Sequence, residues 1–191
     1  MSTIVIRPAV RADLPQITSI YNHYVLNTPV TFDLEPVGPE QRVGWFNEPT
    51  EGARYRLFVS EDRGRILGYA GTGRFRSKAA YDTTAEVTVY CAPDATGRGI
   101  GAMMYQRLFD ALRNEDLRRL VAGITIPNQA SIALHRRFGF TEVGVFSENG
   151  RKFDRYWVCS GWSVRCSSHR GYCNRTAIQR SGAKPTETFG L

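Results

Sequence analysis

Long apolar runs are missing from this 191-residue chain. No stretch approaches the roughly 20 residues that a membrane-spanning helix needs. The N-terminal MSTIVIRPAVRADL lacks the basic-then-apolar layout of a secretion signal. Cysteine is scarce: four residues, without the dense spacing of a disulfide framework, argue against a small secreted scaffold. No segment repeats. These absences predict a cytoplasmic globular protein with no membrane partner. The length suits one well-cored domain, and a 42% hydrophobic and 12% aromatic content suits a folded one.

Acidic residues are also few, leaving a net charge of +7, but the surplus is unevenly spread. Beyond residue 158, Arg165, Arg170, Arg175, Arg180 and Lys184 face Glu187 alone, so +4 of the +7 sits in the last 33 residues. The body is mildly basic and has no aromatic-basic platform, which argues against nucleic acid as a partner and suits a phosphorylated small molecule.

Apolar spacing predicts a strand at 4–6, then a helix opened by an Asp13–Gln16 capping box and buried through Ile17, Ile20, Tyr21 and Tyr24. A proline-rich loop and a short helix near 41–46 follow. Strands are predicted at 55–60, 66–75 and 83–91, then a helix from 101 to about 113 on Ile100, Met104, Leu108 and Leu112. The remainder reads as a strand at 117–126, a helix from Asn128 to Phe138, and strands at 140–146 and 152–158. This is an α/β layout with a largely antiparallel, partly parallel sheet. From Cys159 the hydrophobic periodicity fades and Ser, Arg and Gly rise. The expected division is therefore a folded domain over 1–158 and a weakly ordered basic tail over 159–191.

The chemistry concentrates at 89–101, VYCAPDATGRGIG, where a strand runs through a turn with Gly97, Gly99 and Gly101 into a helix. Glycine lets backbone N–H groups face an anion at close range, and a helix N-terminus adds free donors and a positive dipole end. A P-loop is excluded, because Gly101 is followed by Ala102 and Met103 rather than by Lys and Ser or Thr. A dinucleotide fold would want an early βαβ unit. On the strand before the turn, Thr84, Glu86, Thr88 and Tyr90 share one face, and Ala85, Val87, Val89 and Cys91 the other. Glu86 is thereby either a proton acceptor beside a cleft or a solvated strand residue. His135 shares a helical stripe with Ser131, Leu134 and Phe138, where core packing and chemistry are both open readings.

Thr96-Gly97-Arg98-Gly99-Ile100-Gly101 resembles the cofactor turn of the GNAT superfamily of acetyl-CoA-dependent N-acetyltransferases, Gln/Arg-x-x-Gly-x-Gly/Ala, with Thr96 in place of the first residue. Four blocks narrow the match: IYNHYVLNTPVTFDLEP at 20–36, AYDTTAEVTVYCAP at 80–93, IPNQASIALHRRFGF at 126–140 and GRKFDRYW at 150–157. They are similar to the phosphinothricin and methionine sulfoximine acetyltransferase subfamily over residues 3 to about 158.

The resemblance implies a GNAT fold, with splayed central strands flanked by helices, and acetyl-CoA as co-substrate without a metal. It implies Glu86 as the base that deprotonates the acceptor amine, with His135 as a second base or proton donor. Acetyl-CoA contacts would come from Val89, Tyr90 and Cys91, from the turn Thr96, Gly97, Arg98, Gly99, Ile100, Gly101 and Ala102, and from Asn128 and Ser131. The Val89 N–H would hold the oxyanion. An acyl-enzyme on Cys91 is set aside in favour of direct transfer. The acceptor, a small amino acid, would meet Phe32, Arg74, Arg76, Lys78 and Tyr81. The subfamily also implies a homodimer. Acetylation of a protein or peptide and a non-catalytic acyl-CoA sensor are the rival readings. The tail lacks the subfamily's aspartate after Arg-Tyr/Trp. Its Cys159, Cys166, Cys173 and His169 are a remote zinc set without paired knuckles. A tail strand shared with a second subunit is a further alternative.

Overall fold

A computed structural model of the chain describes residues 4–51 and 54–166. Seven strands, β1 (Val5–Pro8), β2 (Leu57–Asp62), β3 (Arg65–Arg74), β4 (Thr84–Cys91), β5 (Arg119–Ile126), β6 (Thr141–Lys152) and β7 (Arg155–Arg165), form one sheet in the order β1-β2-β3-β4-β5-β7-β6. All neighbouring pairs are antiparallel except β4 with β5. The mixed sheet expected from the sequence is the one observed.

Helices α1 (Leu14–Asn27) and α2 (Val43–Glu51) cover one face, and α3 (Ile100–Ala111) and α4 (Gln129–Arg137) the other. Strand alternation decides which side chains meet which helices. Tyr69 and Tyr90 stack across β3 and β4 and meet Trp45 of α2 and Tyr21 of α1. On the opposite face, Gly68 makes room for Met104 of α3. The spacing Ile100, Met104, Leu108 is fully buried, as is Ile17 of α1. Each such side chain contributes about 1.5–3 kcal/mol over the exposed state.

Two expectations need correction. The Asp13–Gln16 capping box does not form. Arg7 takes Asp13 in a two-pronged ion pair at 2.7 and 2.8 Å, and Val10 N–H donates to the same carboxylate at 2.8 Å. Gln16 instead ties α1 to the β2–β3 hairpin, accepting from Ile66 N–H at 2.9 Å and donating to the Gly64 carbonyl at 3.1 Å.

The second correction concerns the tail. β7 runs on to Arg165, with Val158–Arg165 paired to β5, so the sheet continues past the expected boundary at 158. Ser160, Trp162 and Val164 alternate into the interior, and the serine and Gly161 are what disguised the apolar period. Within the described residues the strand pairs with β5 and β6 of its own chain. Cys159 and Cys166 sit about 20 Å apart along this extended segment, too far to share a zinc ion. His169, Cys173 and the cations from Arg170 onward lie outside the described residues.

Candidate active site

Between β4 and α3 the chain passes through a 3-10 turn at Pro93–Ala95 into the glycine segment. Gly97 and Gly99 hold φ of +74° and +75°, a conformation that side chains disfavour, and a Cβ on either would meet nothing within 4 Å. Glycine is needed at these two positions for backbone shape, not for space. The N–H groups of Gly97, Gly99 and Ile100 have no acceptor among the described residues. Gly99 caps α3 without a side chain, so the helix end stays bare. Ala102 N–H and Met103 N–H both turn back to the Gly99 carbonyl, each at 3.1 Å. The free donors are thus fewer than the whole Thr96–Ala102 run. Arg98 is exposed, and the Thr96 hydroxyl donates to the Pro93 carbonyl at 3.0 Å.

The strands before this turn part company. β4 and β5 pair only through Thr84–Arg119, Ala85–Leu120 and Glu86–Val121. Ala92 N–H reaches the Leu67 carbonyl of the β3 side at 2.8 Å, which sets the alternation. Tyr90, Thr88 and Glu86 bond β3, and beyond the last β5 pair the backbone of Val89 and Cys91 faces the gap. A channel of about 610 Å³ fills that gap, lined by the end of β4, the glycine turn, Ala122–Thr125 of β5, and α4 with its cap. The bare helix end offers free donors to an anion, and the gap gives an elongated ligand access to the open edge of β4.

A second, smaller cavity of about 130 Å³ lies on the α1/α2 face, bounded by Trp45, Glu48, Pro49, Leu57, Gly71–Arg74, Glu86 and Thr88. Glu86 borders both cavities. Its carboxylate is exposed to the cleft, takes no hydrogen bond or ion pair among the described residues, and is pushed above the usual carboxylate range by the water it loses to the walls.

A family model, the acetyltransferase (GNAT) family, matches residues 17–140. The chain belongs to this family. Phosphinothricin N-acetyltransferase of Streptomyces coelicolor is 54% identical over 154 residues, covering 80% of this chain and 90% of the relative. The L-methionine sulfoximine/L-methionine sulfone acetyltransferase of Salmonella typhimurium is 38% identical over 164 residues, covering 86% and 95%. A GNAT phosphinothricin acetyltransferase of Sinorhizobium meliloti, solved in complex with acetyl-CoA, superposes with a TM-score of 0.82 at 30% identity, covering 94% of each chain.

Around the GNAT channel the other sequence-derived residues take definite places. Asn128 caps α4, its side-chain oxygen accepting from Ser131 N–H at 3.1 Å, and both residues line the channel. Tyr90 lines it as well. Cys91 is half-buried, and burial pushes its thiol up, which makes it a poor nucleophile.

His135 is buried with both ring nitrogens engaged. Nδ1 lies 2.8 Å from the Ser131 carbonyl, and Nε2 3.0 Å from the Tyr105 hydroxyl. The carbonyl can only accept, so Nδ1 carries the proton and Nε2 accepts from Tyr105. Burial lowers the imidazole pKa, keeping the ring neutral.

Of the residues assigned to the acceptor, Arg74 borders the small cavity at the end of β3. Phe32 packs under Gly150 of β6, and Lys152 Nζ donates to the Thr31 carbonyl at 2.8 Å, so Phe32 fastens the loop whose Val30 and Thr31 line the channel. The Arg76 guanidinium lies over the rings of Phe75 and Tyr81, and Lys78 precedes the turn at Ala79–Tyr81. Phe32, Arg76, Lys78 and Tyr81 line neither cavity. Sequence reasoning missed Trp45, Glu48 and Thr88 at the small cavity and Tyr105 at the channel. Thr88 shares the Glu86 face of β4 and was within reach of the alternation argument. Trp45 and Glu48 carry no local signal.

Proposed function

We propose that this protein moves the acetyl group of acetyl-CoA to the α-amino group of a small amino acid of the phosphinothricin or methionine sulfoximine kind. The observation that carries the reading is Glu86 on the walls of both the large channel and the smaller cavity. The names of the 54% and 38% identical relatives support the choice of acceptor.

The free amides of Gly97, Gly99 and Ile100 would hold the diphosphate of acetyl-CoA, with Asn128 and the open β4 edge along its pantetheine arm. Bound there, acetyl-CoA supplies an acyl carbon activated as a thioester. Glu86 takes a proton from the acceptor ammonium, and its raised pKa brings it closer in basicity to the group it deprotonates. The Val89 N–H in the gap would face the oxygen on which negative charge collects as nitrogen bonds to the acyl carbon. Collapse of that adduct breaks the C–S bond, and CoA leaves as the thiol with the second proton of the former ammonium. Tyr105 lines the channel, and His135 fixes its hydroxyl, so His135 is a positioning residue. No metal takes part in this scheme.

The protein is also proposed to form a homodimer through the β6–β7 hairpin. There Val143, Val145, Phe146, Phe153 and Tyr156 are each more than half exposed.

A thiol-release assay with acetyl-CoA and a panel of amino acids and short peptides tests the reading. Turnover with free amino acids and none with peptides is expected. Preference for peptides contradicts it, and tight acetyl-CoA binding without turnover points to a sensor.

A further inference from the structure

The small cavity exists because two residues of β3 have no side chain. Gly71 and Gly73 stand opposite Thr88 and Glu86 in the β3–β4 register, so all four positions look toward α1 and α2. At Gly71 an added Cβ would strike Leu57 Cδ1 at 2.8 Å and the Arg56 carbonyl at 2.9 Å. At Gly73 it would meet only Glu48 Oε2, at 3.7 Å. The Glu48 carboxylate therefore hangs over the empty position beside Glu86, reaching down from α2. No ion pair or hydrogen bond engages it among the described residues. The charged residues around the cavity are Glu48, Glu86 and, at the rim, Arg74.

Resting on the proposed function above, we infer that Glu48 reads the side chain of the acceptor amino acid, favouring an uncharged hydrogen-bond donor over an anionic group. With the amine at Glu86, the space over Gly73 is left for the acceptor's side chain, and Arg74 on the same cavity is the cation left for its α-carboxylate. A second carboxylate there accepts from an N–H or O–H and repels a phosphinate or carboxylate. A sulfoximine N–H meets this requirement, a sulfone is neutral without a donor, and the phosphinate of phosphinothricin is the wrong charge.

The test compares kcat/KM of the full chain and of Glu48→Gln for L-methionine sulfoximine, L-methionine sulfone and phosphinothricin. The substitution is expected to raise the phosphinothricin-to-sulfoximine ratio by about tenfold or more. The sulfone should change least. Gly73→Ala, which fits without a backbone clash, is expected to raise KM for all three with an unchanged melting temperature. An unchanged ratio in Glu48→Gln, or an equal loss for all three acceptors, overturns the inference and leaves the acetyltransferase reading standing. Wild-type protein that acetylates none of the three overturns both.

Discussion

Gly99 and Gly101 are two residues apart and serve different ends. Gly99 holds φ of +75° at the start of α3, whereas Gly101 lies within the helix, and a Cβ there would come 3.3 Å from the flexible Leu134 Cδ2 of α4. Gly99→Ala is therefore expected to cost about 1–2 kcal/mol of stability and to weaken acetyl-CoA binding. Gly101→Ala should stay within about 1 kcal/mol, because helix propensity offsets the tight contact. Urea melts and calorimetric titration check both, and an equal effect at the two positions contradicts the account. The alternation of glycines in the sequence pointed to the turn, but it could not separate a backbone requirement from a packing one. That distinction needs α4, whose Leu134 lies far along the chain from Gly101.

At the scale of elements, the parting of β4 from β5 makes the channel, and the contact of α3 with α4 shapes its wall. The Tyr105–His135 hydrogen bond lies in that contact. Tyr105→Phe leaves Nε2 buried without a donor and should lower stability by about 1–2 kcal/mol. Because burial depresses the His135 pKa, the folded state resists protonation. The unfolded chain binds that proton more readily, so stability is lost as pH falls through about 6.5 toward the folded value. Urea midpoints at pH 7.5 and 5.5 should show wild type weakening with acid and His135→Gln weakening less. An equal pH dependence would contradict the geometry.

Element order, the capped start of α4 and the two faces of β4 were legible in the periodicity and in Asn128. The end of β7 was not, since Ser160 stands in an inward position, bonded to Glu142. Nor was the start of α1, where Arg7 competes for Asp13 from a neighbouring strand. Glu48 and Trp45 enter the site only when α2 folds over two glycines of β3.

For the whole molecule, the uneven charge and the edge hairpin point in separate directions. Exposed apolar side chains on β6 and β7 stand at one end of the sheet, away from β1 at the other. If they pair two copies, light scattering should give twice the chain mass for wild type. The Val145→Asp/Phe146→Asp double variant should give the single mass with an unchanged circular dichroism spectrum. A monomeric wild type contradicts the pairing. The chemistry itself rests on Glu86 accepting a proton between the two cavities. The most direct measurement is the pH dependence of kcat with saturating acetyl-CoA and acceptor, for wild type and Glu86→Gln. The account predicts a wild-type rate that falls on the acid side, with its midpoint above the ordinary carboxylate range. It predicts a Glu86→Gln rate lower by about 10²–10⁴-fold that lacks this acid limb. A variant with the same rate and the same acid limb as wild type would contradict it.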